Sequence, residues 1–451
     1  MSPSVAYTGD DAPVLDRLKE ILRPVTAFCL DIHRHPETSG QERRTAGRLA
    51  AWLADEGYEV TGSVGGHGVV GLLRNGAGPT VMLRAELDAL PVRERTGLPY
   101  ASEGAASHAC GHDLHLAAVA GAASLLARST AGWSGRVMVV GQPAEETLEG
   151  ARAMLADGLY ERFGRPDTVL AQHTAPLPAG MVAHGYGPVM AGSVDYEITV
   201  HGAGGHAGTP QLGVDPVLTA AAMVMRLQGV VSRESSPAEQ VVLTVGSLHA
   251  GEARNVVPDR ATLGLTVRAH AAETLERVAA AVERVVRAEC AASGCPRDPD
   301  ITVVSDSPAT VPDPVATAAV RKAHTELYGP RRVSDWPPAM ATEDFAFFGD
   351  AGRALHGHSG IRLVYWMLGS VGPGQWARAG GPGATAAQKL AALPSNHAPE
   401  FACDLRTGLP TGVTAMTTAA LRFLDGRPGE PSRATPRSTG GGPGESSESA
   451  Q

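Results

Sequence analysis

Three segments between residues 80 and 146 decide the expected fold: TVMLRAELDAL (80–90), DLHLAAVAGAASLLARS (113–129) and RVMVVGQPAEE (136–146). The first and third are short apolar runs that end in acidic residues, which is typical of buried parallel strands with functional groups at their carboxyl ends. The middle segment has the apolar pattern of a helix. A strand, a helix and a strand in this order predict a βαβ unit, in which ligands gather at the carboxyl ends of the strands.

A second pattern begins after Gly192. The segments in order are an alternating strand SVDYEITVHG (193–202), a helix (215–230), the strands QVVLTVGSL (240–248) and RATLGLTVRAH (260–270), a long helix (272–292) and the short strand DITVVS (300–305). This order is the ferredoxin-like plan. Because the α/β pattern resumes near Val311, we predict an α/β fold with a small ferredoxin-like α+β domain inserted into it.

The predicted domain boundaries follow these changes of pattern. At 451 residues, the chain exceeds the size at which one core usually stops growing. The larger domain comprises residues 1–191 and 308–425, and the insert comprises residues 192–307. Residues 426–451 are rich in Gly, Pro and Ser with almost nothing apolar. They cannot bury enough surface to offset the entropy cost of ordering, so we predict a disordered tail.

Composition and charge exclude several classes of partner. A net charge of −9 argues against nucleic acids and anionic membranes, which would bind a basic face. The longest apolar run is too short to span a bilayer, and the N-terminus lacks the pattern of a secretion signal. The five scattered cysteines predict free thiols in a reducing cytoplasm rather than a disulfide framework.

The segment HACGHDLH (108–115) packs one cysteine, three histidines and an aspartate into about two helical turns. A zinc finger would need a second pair of closely spaced cysteines, and the sequence has none. A thiol hydrolase, with Cys110 as the nucleophile and a distant histidine as the base, is open on this pattern alone.

Further potential ligands follow other predicted strands and loops. Glu145 and Glu146 are adjacent after one strand, His173 follows another, and His397 lies in a Pro-bounded loop. Thiolate, imidazole and carboxylate together suit two borderline divalent cations. Two such cations, roughly 3.5–4 Å apart, can share a hydroxide and polarise a carbonyl. An additional carboxylate beside them would serve as the general base.

Eight segments resemble, in the family's order, the metallopeptidase M20 superfamily and specifically its amidohydrolase branch of aminoacylase, hippurate hydrolase and auxin-conjugate hydrolase type. They are RAELDALPV (84–92), HACGHDLH (108–115), QPAEE (142–146), QHTAPLPAG (172–180), GPVMAGSVDYEITVHGAGGHAGTP (187–210), NVVPDRATLGLTVRA (255–269), TEDFAFFG (342–349) and NHAPEF (396–401). The resemblance implies a di-metal peptidase catalytic domain with an inserted lid that often dimerises. It also implies two divalent ions per subunit, with Mn²⁺, Zn²⁺ or Co²⁺ all suited to the ligands.

The resemblance also implies a role for particular residues. The implied metal ligands are Cys110, which would lie between the two ions, His112, Glu146, His173 and His397. Glu145 would be the general base, and His206 on the lid would polarise the scissile carbonyl, often in a partner's active site. Asn255 and Arg268 would hold the substrate, the guanidinium being suited to a carboxylate.

Asp88 stands outside this implied set. It either orients a ligand histidine from behind or caps the end of its strand. The sequence departs from the family at Glu86, where Asp is usual, and at Gln211, where His is usual. It also carries a Gly-rich insert, GSVGPGQWARAGGPGATAAQK (369–389), before His397. None of these removes a ligand or the base, so they concern the identity of the substrate.

The sequence therefore predicts a metal-dependent amidohydrolase that cleaves the amide bond of N-acyl amino acids. It would be a cytoplasmic homodimer that pairs through its lid domain. The alternatives are a metallocarboxypeptidase or dipeptidase on the same fold, a non-catalytic binding protein that has kept the fold, and a cysteine hydrolase. Chelators and thiol alkylators would separate the last of these from a metal enzyme.

Overall fold

The computed structural model describes residues 11–424, so the predicted disordered tail (426–451) lies outside the described residues. The helices of the described chain are α1 (Ala12–Leu15), α2 (Leu18–Arg34), α3 (Arg43–Asp55), α4 (His112–Ala127), α5 (Gly150–Ala156), α6 (Leu159–Phe163), α7 (Pro216–Arg233), α8 (Ala272–Ala292), α9 (Pro314–Tyr328), α10 (Arg353–His356), α11 (Pro373–Arg378), α12 (Ala386–Ala391) and α13 (Gly408–Leu421). Within residues 11–424, no helix is both long and apolar enough to cross a membrane.

The strands form a large mixed sheet, a small antiparallel sheet and a two-stranded ribbon. They are β1 (Glu59–Val64), β2 (Gly68–Asn75), β3 (Thr80–Glu86), β4 (Gly135–Gln142), β5 (Thr168–Pro178), β6 (Val182–His184), β7 (Gly192–His201), β8 (Gly205–His206), β9 (Val241–Ala250), β10 (Val256–Val257), β11 (Arg260–Ala269), β12 (Asp300–Ser307), β13 (Val333–Asp335) and β14 (Arg362–Val371). The large sheet has the order β1-β2-β4-β3-β5-β14-β6-β13.

The predicted βαβ unit lies at the centre of the large sheet. β3 and β4 are parallel neighbours, and α4 connects them through the layer of helices. β5 pairs in parallel with both β3 and β14, so the carboxyl ends of these strands meet at one edge. Almost every residue of α4 from His112 to Leu126 is buried. Such a helix, apolar all round, can only lie inside a core, and here it is enclosed by the sheet, α2 and α13.

A second core cluster covers the opposite face of the large sheet, where α5, α6 and the aromatic segment 345–348 pack. The small sheet has the order β12-β7-β11-β9 with antiparallel pairing throughout. α7 and α8 pack on one of its faces around Tyr196, Ile198 and Val200. The predicted fold class, an α/β domain with a ferredoxin-like α+β insert, is confirmed by this arrangement.

Candidate metal centre and substrate cleft

Cys110 is placed by a left-handed turn at the start of α4. Gly111 has φ +86°, and a Cβ at this position would lie 2.7 Å from the Thr174 hydroxyl oxygen, so only glycine fits the close approach. This contact between the start of α4 and the end of β5 sets the distance from Cys110 Sγ to His173 Nε2 at 3.3 Å. The two residues therefore face each other at the carboxyl edge of the sheet.

The five predicted ligands and Glu145 come together at this edge. Three groups have ligand atoms that all lie within 4.8 Å of one another: Cys110, His112 and His173; Cys110, Glu146 and His397; and His112, Glu145 and Glu146. Cys110 is shared by the first two groups. His112 Nε2 is 3.7 Å from Glu145 Oε2 and 3.8 Å from Glu146 Oε1. These separations exceed a hydrogen bond but suit ligands around a shared ion.

Two buried atoms of this cluster indicate that the residues fit a metal. His112 Nε2 and Glu146 Oε1 are buried and have no hydrogen-bond partner among the described residues. A buried polar atom without a partner is costly, and a divalent ion coordinated by both atoms would remove that cost. His112 Nδ1 donates to the Asp88 carbonyl oxygen at 2.9 Å, which leaves the Nε2 lone pair available as a ligand. The donor set therefore fits a divalent metal.

Asp88 contacts two of the predicted ligands. Its Oδ1 is 3.3 Å from His112 Nδ1, and its Oδ2 accepts from the backbone N–H of Glu146 at 2.9 Å. The Ser39 hydroxyl donates to the same Oδ2 at 2.8 Å. Asp88 is fully buried. These contacts favour the role of orienting the ligands over that of capping the strand.

Burial keeps the Cys110–His173 pair neutral. Burial raises the pKa of Cys110 to about 11, and burial together with the neighbouring His115 lowers the pKa of His173 to about 3. A thiol nucleophile needs the thiolate, usually stabilised by an adjacent imidazolium. Neither charged form is favoured here. The pair alone is therefore not an activated nucleophile and its base, whereas a divalent ion bound by both atoms would supply the positive charge that a thiolate ligand needs.

Glu145 lies above a buried group of charges that sequence reasoning did not find. Its carboxylate oxygen is within 4.8 Å of those of Glu343 and Asp344. The Arg84 guanidinium lies beneath them, with Nη2 2.7 Å from Glu343 Oε1 and 3.1 Å from Asp344 Oδ1. Burial, together with the charges of Glu343 and Glu146, raises the pKa of Glu145 well above its usual range. Glu343 and Asp344 lie in the segment TEDFAFFG (342–349), whose resemblance to the family was the one sign in the sequence that these residues belong to the site.

Glu86, one of the departures from the family, belongs to the same buried network. Its carboxylate pairs with the Arg84 guanidinium and accepts from His115 Nδ1 at 2.9 Å. His115 Nε2 in turn accepts from the backbone N–H of Thr174 at 2.8 Å. Both nitrogens of His115 are therefore occupied by protein groups. Although His115 is close to His112, it is a structural residue and not a free ligand.

A cleft of about 400 Å³ opens above the cluster. Its lining includes four of the five predicted ligands, Cys110, Glu146, His173 and His397, together with Glu145. The apolar residues Leu148, Met190, Trp336 and Met367 also line it, as do Arg268 and Asp195 of the inserted domain. Arg268 Nη1 donates to the Met340 carbonyl oxygen at 2.8 Å. Arg268 and Asp195 lie on the face of the small sheet opposite α7 and α8, and Asp195 was not singled out from the sequence.

His206 and Asn255 do not line this cleft. Both are exposed on the ribbon of β8 and β10, in which His206 pairs with Val256. His206 Nδ1 accepts from the backbone N–H of Gly208 at 2.9 Å, and the Ala207 N–H donates to the Asn255 carbonyl oxygen at 3.1 Å. Gln211 lies in the neighbouring short helix Pro210–Leu212, also exposed. A single chain therefore brings these lid residues to each other but not to the metal cluster.

The Gly-rich insert leads directly into the cleft wall. It comprises the end of β14, α11 and α12. The Lys389 ammonium donates to the Trp376 carbonyl oxygen at 2.8 Å and lies over the Trp376 ring. Beyond the insert, His397 has φ +72° and its N–H donates to the Ala109 carbonyl oxygen at 2.8 Å. This bond holds His397 beside the Cys110 segment.

The chain is similar to known proteins over most of its length. The sequence model of the family "Peptidase family M20/M25/M40" matches residues 82–376. A hippurate hydrolase of Campylobacter jejuni is 36% identical over 321 residues, which cover 70% of this chain and 82% of that protein. An N-acetyl-L-cysteine deacetylase of Bacillus subtilis is 33% identical over 76% of this chain and 82% of its own length. The IAA-amino acid hydrolase ILR1-like 5 of Arabidopsis thaliana is 33% identical over 87% of this chain and 85% of its own length.

Solved structures show the same architecture. The YXEP protein of Bacillus subtilis, described as a dinuclear metal binding peptidase from the M20 family, has a TM-score of 0.69 and 26% identity, and the match covers 90% of this chain and 98% of that one. The match with the family model and with relatives above 30% identity extends over most of this chain. The chain thus belongs to the peptidase family M20/M25/M40, and its relatives within that family are amidohydrolases and deacylases.

Proposed function

We propose that this chain is a metal-dependent amidohydrolase that cleaves the amide bond of N-acyl amino acids. The observation that carries the proposal is the buried cluster at the cleft floor, where unpartnered atoms of His112 and Glu146 adjoin the carboxyl group of Glu145. The names of the relatives support the substrate class, because hippurate, N-acetylcysteine and IAA-amino acids are all conjugates of amino acids through an amide.

Cys110, His112, Glu146, His173 and His397 are the proposed ligands of two divalent ions. The two groups that contain Cys110 include all four of the other proposed ligands, which supports a position of its sulfur between the ions. The mixture of thiolate, imidazole and carboxylate suits Mn²⁺, Co²⁺ or Zn²⁺. When bound, such ions supply Lewis-acid polarisation of the carbonyl and a water of lowered pKa.

The chain's own residues would then complete the reaction. Glu145 is the proposed general base, accepting the proton of the attacking water at a carboxylate oxygen and passing it to the leaving amine. Arg268 would bind the carboxylate of the amino acid at the cleft wall. Leu148, Met190 and Met367 would hold the acyl group and exclude water.

We further propose that the lid pairs two copies of the chain and that His206 and Asn255 act in the partner's cleft. Both residues are exposed and remote from the cleft of their own chain. The lid also exposes apolar side chains in this region: Leu212, Leu218, Met225, Leu248 and Val256. Such surfaces usually mark interaction sites. The predicted boundaries at residues 192 and 307 are proposed as the limits of this lid.

All five cysteines are free thiols. This supports the proposed cytoplasmic location, because disulfides are rare in that compartment.

The position of Asp195 favours a second candidate, a dipeptidase on the same fold. It lines the cleft, and its buried Oδ1 has no hydrogen-bond partner within residues 11–424. A carboxylate in that position could bind the free amino group of a dipeptide. The proposed amidohydrolase would instead bind a neutral acyl group, mostly through apolar contacts.

One substrate screen tests both candidates. The protein is stripped with chelator, reconstituted with Mn²⁺, Zn²⁺ or Co²⁺, and assayed against N-acetyl, N-benzoyl and longer-chain acyl amino acids beside dipeptides with free amino groups. Metal-dependent release of amino acid from the acylated substrates supports the proposal. Preference for dipeptides would favour the second candidate, and turnover of neither class would favour a binding protein. Inhibition by thiol alkylators of a metal-free protein would favour a cysteine hydrolase.

A further inference from the structure

The loop that carries Glu145 and Glu146 is held in an unusual conformation. It connects β4 to α5, and two of its non-glycine residues, Ala144 and Leu148, have φ of +48° and +58°. This left-handed region is costly for residues with a Cβ, so the surrounding structure must hold it in place. Ala144 immediately precedes the proposed base, and its backbone therefore sets the direction in which Glu145 leaves the chain.

Ala144 is fixed by hydrogen bonds at both its amide and its carbonyl. Its N–H donates to Glu42 Oε1 at 2.8 Å. Its carbonyl oxygen accepts from the N–H groups of Glu149 and Gly150, each at 3.1 Å. The bonds to Glu149 and Gly150 are local to the loop. Among these bonds of Ala144, the bond to Glu42 reaches a distant part of the chain.

Glu42 is built into the fold just before α3. Its side chain is fully buried, and the same Oε1 accepts from the Gly40 N–H at 2.8 Å. The neighbouring Ser39 donates to Asp88, whose Oδ2 in turn accepts from the Glu146 N–H at 2.9 Å. The segment 39–42 therefore reaches both sides of Glu145 from behind: Ala144 directly through Glu42, and Glu146 through Ser39 and Asp88.

We propose that Glu42 is a positioning residue that fixes the left-handed turn at Ala144 and so aims Glu145 at the reacting water. This inference rests on the function proposed above. Glu42 does not line the cleft and is absent from the ligand groups. Its removal therefore changes the placement of the base rather than the binding of substrate or metal.

The expected effect is a loss of kcat with little change of KM. Outer partners of catalytic groups typically contribute about 10- to 100-fold to activity, and displacing a reacting group by about 1 Å costs a similar factor. In Glu42→Ala, the Ala144 N–H loses its acceptor, and we expect kcat to fall about 10- to 100-fold. Glu42→Gln keeps an oxygen acceptor of the same length, so kcat is expected to stay within about 3-fold of the wild type.

Glu37 provides a matched control on the same segment. Its carboxylate accepts from the N–H groups of Arg44 and Thr45 and so stabilises the start of α3 without contacting the loop. If the loss in Glu42→Ala came only from weakening α3, Glu37→Ala would show an equal loss. Positioning predicts that Glu37→Ala keeps kcat within about 3-fold of the wild type. Ser39→Ala is a milder second variant, and it should lower kcat by less than Glu42→Ala.

The experiment combines steady-state kinetics and metal content with hydrogen–deuterium exchange of the peptide covering residues 143–149. The inference is supported if Glu42→Ala has reduced kcat and normal metal content and if Glu42→Gln restores kcat. The peptide should also exchange faster in Glu42→Ala but not in Glu42→Gln or Glu37→Ala. Normal kcat and normal exchange in a folded Glu42→Ala would overturn the inference. If the wild type cleaves no amide, the proposed function fails, and the exchange of the loop then decides by itself whether Glu42 holds it. Should Glu42→Ala not fold, Glu42→Leu, which fills the buried position but offers no acceptor to the Ala144 N–H, decides in its place by the same kinetics and loop exchange.

Discussion

A buried histidine pair should make the free energy of unfolding fall between pH 7 and pH 5. His324 on α9 is fully buried, and its Nε2 donates to the Ala415 carbonyl oxygen at 3.0 Å. Because a carbonyl only accepts, Nε2 carries the hydrogen and Nδ1 is the acceptor. His324 Nδ1 therefore accepts a hydrogen bond from His184 Nε2 at 3.1 Å. Protonating His324 would place a second hydrogen against the one on His184 and charge a buried ring.

Burial accordingly lowers the pKa of His324 from 6.5 to about 4. Above pH 6.5 the ring is neutral in both folded and unfolded chains, and the full stability is present. As the pH falls below 6.5, the unfolded chain takes up a proton that the folded chain refuses, so stability is lost by about 1.4 kcal/mol per pH unit. Between pH 7 and pH 5 this amounts to roughly 2 kcal/mol.

The comparison with His324→Gln isolates this contribution. Glutamine can donate to Ala415 and accept from His184, but it does not titrate. Urea unfolding of the metal-free proteins, followed by the fluorescence of the tryptophans, gives the free energy at both pH values. The fluorescence of Trp366 should report on unfolding around the pair, because its ring packs edge-to-face on that of His324 with the ring centroids 5.3 Å apart. We expect the drop from pH 7 to pH 5 to be roughly 2 kcal/mol smaller in His324→Gln. Equal drops in the two proteins would show that protonation of His324 does not cause the loss of stability.

Three further predictions concern the site. Cys110→Ala should lose both bound metal and activity, because the thiolate is proposed to belong to both ions, and normal metal content by elemental analysis would contradict this. Arg268→Lys should lower kcat/KM by roughly 10- to 100-fold, because lysine lacks the planar fork of the guanidinium group. For substrates amidated at the carboxylate, kcat/KM should differ little between the wild type and Arg268→Lys, which the same assay checks. Arg84→Met should lower the free energy of unfolding at pH 7 by about 3–5 kcal/mol, because it leaves Glu343 and Asp344 buried without their cation. A urea-unfolding midpoint equal to that of the wild type would rule out this account of the network.

Local patterns were sufficient to predict the fold. The apolar runs at 80–86 and 136–142 are buried parallel neighbours, and the alternation at 193–201 belongs to an antiparallel strand, because burial on two faces or one face leaves a direct trace in the sequence. Residues 14–31 have the apolar pattern of one amphipathic helix, but the structure divides this stretch between α1 and α2. Helix termini depend on capping contacts that periodicity does not encode.

The candidate site was only partly accessible from sequence. The five proposed ligand residues lie in short motifs in strands, at the start of a helix or in a loop, and the fold topology brings them together at one edge of the sheet. The Arg84 network and the Glu42 contact were missed, because each joins groups far apart in the chain through hydrogen bonds that leave no periodic signal. Glu42 and Ala144, for example, are 102 positions apart. For His206 the resemblance implies a role in a partner's active site, and the single chain shows only that His206 does not line its own cleft.

Glu145 is proposed to move the proton, whereas its neighbour Glu146 is proposed to hold the metal. The most direct test measures metal content beside turnover for Glu145→Gln and Glu146→Gln. Glu145→Gln should keep near-normal metal content and lose turnover toward the upper end of about 10²- to 10⁴-fold, because the amide cannot accept a proton. Glu146→Gln should lower metal occupancy, because a neutral amide is a poorer ligand. Loss of metal in Glu145→Gln with normal metal in Glu146→Gln would contradict the assignment.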